Sequence, residues 1–148
     1  MFRAGVNGGE EAGMCRLFVG ASADLWESQT RSVRMDGMVT SVRLEKMFWT
    51  VLEEIAEKDD LNIPQLLHQL YNESIDEGHD LGNFTSFLRV CCLRYLNLQL
   101  QGFLSKEQGK NLKPEEILEL EDEANRTRES RKAAAPVALP RKSQKYIL

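Results

Sequence analysis

The residues best placed to do chemistry in this chain are cations gathered in one short span. Arg31, Arg34, Arg43 and Lys46 lie between Ser28 and Met47, where Asp36 and Glu45 are the only acids. The span repeats itself: Arg31-Ser32-Val33-Arg34, then Asp36-Gly37, then Thr40-Ser41-Val42-Arg43. The 148-residue chain has a net charge of −4. A local basic stripe on an acidic protein can still hold a nucleic acid, because the field at the contact outweighs the total charge. The same arginines also suit a plainer role, as solvated edge charges that discourage sheet aggregation. Residue chemistry alone leaves both readings open.

Other reactive residues are sparse. The odd count of cysteines (Cys15, Cys91, Cys92) and the adjacency of two of them argue against a disulfide framework. Cys91 and Cys92 read as small helix residues, one in the core and one at its edge. His68 and His79, the two histidines, assemble no zinc spacing. There is no phosphate-binding glycine loop, dinucleotide fingerprint, nucleophile elbow or metal-binding helix. An enzyme is therefore the least expected class, and no cofactor or metal is expected.

The cations need elements to hold them. Asp-Gly between two alternating runs signals a hairpin, because its tight turn needs positive φ at both central residues. In the second arm Thr40, Val42 and Leu44 share one face, and Ser41, Arg43 and Glu45 the other. In the first arm Val33 and Met35 oppose Ser32 and Arg34. A helix follows over about residues 45–58, with Phe48, Val51, Leu52 and Ile55 on its apolar stripe. A second starts near Pro64, a favoured first helical residue, and runs to about Asp76 with Leu66, Leu67, Leu70, Tyr71 and Ile75 inward. A third starts at Asn83, a good N-cap, and carries Phe84, Phe87, Leu88, Cys91, Tyr95 and Leu98 on one stripe.

The flanks differ in composition. Residues 1–13 lack periodicity and read as a disordered extension. Residues 15–19 look like a short strand, and the following loop carries Trp26 as its apolar anchor. One domain is expected over residues 14–102, then an acidic helical extension over 103–125. Beyond it, residues 126–148 hold seven Lys/Arg against one acid, the composition of a flexible basic tail. No run of about 18 apolar residues and no signal-peptide core is present, so a cytoplasmic protein without membrane contact is expected.

Taken together, the segments MCRLF (14–18), TRSVRMDG (30–37), TSVRLEKMFWTVLEEIA (40–56) and GNFTSFLRVCCLRYL (82–96) resemble the bacterial ribbon-helix-helix domain proteins, relatives of the Arc and Met repressors. The resemblance covers roughly residues 14–98. It implies a mainly α fold with a short β-ribbon, an intertwined homodimer, and sequence-specific binding of double-stranded DNA by a transcriptional regulator. Two strands, one from each chain, would lie in the major groove. Ser41 and Arg43 would face base edges, where the planar fork of arginine suits guanine. Arg31, Arg34, Lys46, Asn83, Thr85 and Ser86 would contact phosphates, the last three through a helix N-terminus. Glu45 would favour the start of the first helix. Val42, Leu44, Phe48, Leu52, Ile55, Phe87, Leu88 and Cys91 would form the dimer core.

The chain departs from the compact family plan, because residues 59–82 separate the first helix from Asn83. Residues 64–76 then read as an inserted helix. The competing register makes residues 64–76 the second helix of the fold, capped by Asn62. Four strands at about 4.8 Å spacing are too wide for a groove of about 12 Å. The arm fused to the first helix is therefore the expected reader, flanked by the other. The rival reading is an antitoxin-like or adaptor module on the same dimer fold, whose tails bind a protein partner.

Overall fold

The structure, a computed structural model, describes residues 13–79, 82–107 and 112–135. Most of the extension expected over residues 1–13, and residues 136–148 of the expected tail, lie outside that description. The chain divides into two compact units, Met1–Leu98 and Gln99–Leu148.

The first unit opens with helix α1, Gly13–Val19, where a strand was expected. Among the described residues no strand pairs with it, and the segment satisfies its backbone through its own helical turns, which the bond from the Gly20 amide to the Arg16 carbonyl closes. A 3-10 turn over Ala23–Trp26 follows. Trp26 is no anchor there, being 52% exposed.

Strands β1 (Ser28–Met35) and β2 (Met38–Glu45) form the expected antiparallel hairpin. Asp36 (φ 49°) and Gly37 (φ 77°) supply the two positive φ values of its tight turn. The register sets Met35 opposite Met38, Ser32 opposite Ser41, Thr30 opposite Arg43 and Ser28 opposite Glu45. One face is apolar, with Val33, Met35, Val42 and Leu44 buried. The other carries Thr30, Ser32, Arg34, Val39, Ser41 and Arg43, all exposed.

Helix α2 (Lys46–Lys58) leaves β2 without a loop. It buries Trp49, Val51, Leu52 and Ala56, while Phe48 and Ile55 are only half-buried. The inward stripe is thus turned from the expected one. Trp49 turns in because its indole N–H donates to the Gln29 carbonyl at 3.0 Å, so its polar end is satisfied beside the hairpin. The helix ends in a two-bond reverse cap. The Asp60 amide bonds to the Glu57 carbonyl, the Leu61 amide bonds to the Ala56 carbonyl, and Asp60 sits at φ 54°.

Helix α3 (Ile63–Asp76) follows at once. Asn62 and Gln65 cap it reciprocally, each side chain accepting from the other's backbone amide at 2.9 Å. It packs on β1 and α2 through Ile63, Leu66 and Leu67, whereas Ile75 is 47% exposed and Ser74 takes an inward place. Gly78, at φ 77°, closes it with the same kind of cap. Helix α4 (Phe84–Leu100) buries Leu88, Cys92, Tyr95 and Leu98. Cys92, not Cys91, is therefore the core cysteine. Its Sγ bonds to the Phe48 carbonyl at 3.7 Å, and burial pushes its thiol up to about 12.

In the second unit, helix α5 spans Pro114–Ala134. It runs through Arg126, so the change to a basic composition does not end it. Lysine and arginine are good helix formers and sit well in a last turn.

Candidate functional site

The outward face of the hairpin gathers the polar and cationic residues singled out by sequence. Along β2 the row runs Val39, Ser41, Arg43, Glu45, and across from it runs Arg34, Ser32, Thr30, Ser28. Ser41, Arg43, Arg34 and Lys46 are all exposed. Among the described residues no ion pair engages Arg43 or Arg34. Arg34 also lines a shallow cleft of about 330 Å³ at the hairpin tip, with Gln65 and His68 of α3.

Arg31 is not on this face. Its position opposite Val42 places it on the apolar side, with Val33 and Met35. Its guanidinium lies 4.7 Å from the centre of the Trp49 ring and pairs with Glu53 at 2.8 Å. It ties β1 to α2, away from the outward face that carries Arg34 and Arg43. The odd-even parity of β1 held this signal, since Arg31 shares its parity with Val33 and not with Arg34.

Glu45 makes no side-chain bond to the start of α2. Both its oxygens instead accept from Arg89 of α4, from Nε and Nη2, each at 3.1 Å. The Arg89 guanidinium also lies over the Phe48 ring at 5.8 Å. The pairing holds the Glu45 carboxyl below its ordinary value. Nothing in the sequence near either residue announced this link.

The start of α4 is brought to the hairpin. Gly82, Asn83, Phe84 and Thr85 line an open cleft of about 540 Å³ with Thr40, Ser41 and Val42. Tyr71 of α3 meets Phe84 edge to face at 5.7 Å, and Phe84 stacks on Phe87 at 6.1 Å. Asn83 caps the helix itself: its Oδ1 accepts from the Ser86 amide at 3.1 Å and from the Thr85 hydroxyl at 2.9 Å. Asn83, Thr85 and Ser41 are thus together, whereas Arg43 and Lys46 sit farther along toward α2.

The expected core splits in two. Val42, Leu44, Leu52 and Leu88 are buried within the chain, and Phe48, Ile55, Phe87 and Cys91 remain half-exposed at its surface. Among the described residues, no three His, Cys, Asp or Glu side chains gather to hold a metal. No described helix is long and apolar enough to cross a membrane.

Comparison with known proteins places the chain. Residues 28–96 match the model of the ribbon-helix-helix domain. Among solved structures the chain is similar to an uncharacterized protein from Bordetella pertussis Tohama I. The identity is 48%, over 64% of this chain and 75% of that one, with a TM-score of 0.60. No curated protein matches.

Proposed function

Since the chain belongs to the ribbon-helix-helix domain family, we propose that it is a homodimeric, cytoplasmic regulator of transcription that binds DNA sequence-specifically and represses, and that it is no enzyme. The observation that carries this reading is the exposed outer face of the hairpin, which presents Arg34 and Arg43, fused without a loop to a helix that buries one face. In it Ser41 and Arg43 read base edges in the major groove. Arg34, Lys46, Asn83, Thr85 and Ser86 are the phosphate contacts.

Helix α3 is the second helix of the family's plan in this reading. It follows α2 after the short corner 59–62 and is capped at Asn62. Helix α4 is an addition that packs back on the strand–helix junction. The half-buried Phe48, Ile55, Phe87 and Cys91, with the exposed Val90 and Leu93 of α4, are the surface a second chain would cover. A helix apolar around most of its girth belongs between partners.

Selection of bound duplexes from a random library tests the function, and enrichment of a palindromic site is expected. Arg43→Ala should cost about 1–3 kcal/mol of affinity for that site and leave folding intact. Unchanged preference in the variant would remove Arg43 from base reading. A second reading, an antitoxin-like or adaptor module, is favoured by α5, where Ile117 is buried and every other residue but the half-buried Glu121 is exposed. Recovery of a protein partner, with no enrichment of DNA, would select it.

A further inference from the structure

We propose that Arg89 is a positioning residue for base readout: by holding the Glu45 carboxylate, it keeps that anion off Arg43 and leaves the Arg43 guanidinium unengaged. This rests on the DNA-reading function proposed above. Glu45 ends the outward row of β2, on the same face as Arg43 and two residues from it. Two residues along a strand are about 7 Å apart, a gap that glutamate and arginine side chains close between them. A carboxylate left unpaired there has two effects. It competes with the base for the Arg43 fork, and it repels the phosphates that the face approaches.

Arg89 takes both carboxylate oxygens at once, each at 3.1 Å. A two-point fork outcompetes a single flexible contact. It is itself steadied by the Phe48 ring. The pair is only partly solvated, with side-chain exposures of 36% for Arg89 and 31% for Glu45. Helix α4 therefore conditions the reading strand through one charge pair, without itself needing to touch a base.

The test uses full-length protein and two duplexes: the one that the wild-type chain recovers from a random library, and a scrambled duplex of equal length. Arg89→Gln should bind the recovered duplex about tenfold more weakly, as the freed carboxylate engages Arg43. Glu45→Gln should bind it no less tightly than wild type. The double variant, lacking both charges, should return to near wild-type affinity. A merely structural role for the pair would not produce that rescue.

Melting curves accompany each variant. If Arg89→Gln does not fold, the double variant decides: binding like wild type supports the role, and weak binding overturns it. Equal binding by Arg89→Gln and wild type overturns it too, as does a weakened Glu45→Gln. If the wild-type chain enriches no duplex, the DNA-reading function itself falls, which is seen before any variant is compared.

Discussion

Two arginines three positions apart in β1 have opposite surroundings. Arg31 lies over Trp49 and pairs with Glu53, while Arg34 stands on the outward face. Arg31→Ala should therefore lower stability by about 1 kcal/mol, since a partly exposed cation–π contact and ion pair contribute on that scale. It should leave DNA affinity intact. Arg34→Ala should do the reverse, leaving the melting curve unchanged and weakening binding to every duplex alike. Thermal melts and titrations on both variants check the pair. A further outcome concerns acid. Arg89, first by hydrogen bonding, holds the Glu45 carboxyl below its ordinary 4.5. A lowered folded-state value means stabilisation present above pH 4.5 and lost as the pH falls through the lowered value. Partial solvation keeps the effect modest. Melting temperature measured across the acid range should fall less steeply below pH 4.5 in Arg89→Gln than in wild type.

At the scale of elements, the hairpin and three helices were legible because their signals are local. Asp36-Gly37 dictates its turn, two-residue alternation sorts Val42 and Leu44 from Ser41 and Arg43, and Asn62 announces a helix start. The misplaced details depend on tertiary partners. Trp49 turns inward because a carbonyl of β1 receives its N–H, and Cys92 displaces Cys91 because α4 meets α2 at Phe48. The Glu45–Arg89 pair joins residues 44 positions apart, beyond any local pattern. The corner between α2 and α3 gives an element-scale outcome. Asn62→Ala removes one half of a reciprocal cap and should cost about 1 kcal/mol, read as a lower melting temperature. Asp60→Gly should raise that temperature, because Asp60 holds φ 54°, where glycine meets no steric penalty.

For the whole molecule, one two-stranded hairpin is marginal by itself and gains its stability from the helices laid on it. In the dimer we propose, folding and association are linked, so the melting temperature should rise with protein concentration. Calorimetry over a hundredfold concentration range checks this, and light scattering that finds a stable folded monomer would overturn the dimer. Much of the fold is written as periodicity in the sequence, whereas the candidate site is written mostly as strand parity. That is why Ser41, Arg43 and Arg34 stand on the outward face where parity sets them, while Arg31, of the opposite parity, lies with Val33 and Met35. Arg89 escaped because its pairing with Glu45 depends on a helix that returns from far along the chain.

The two indoles supply the molecule with an optical gauge. Trp49 is 1% exposed, with a guanidinium over its ring and its N–H bonded, whereas Trp26 is 52% exposed beside the strand–helix junction. Their emission therefore separates into a sheltered component that reports the integrity of the hairpin–helix core and an accessible one that reports the surface near Glu45 and Phe48. A neutral collisional quencher would read the two apart in a single sample, without any label.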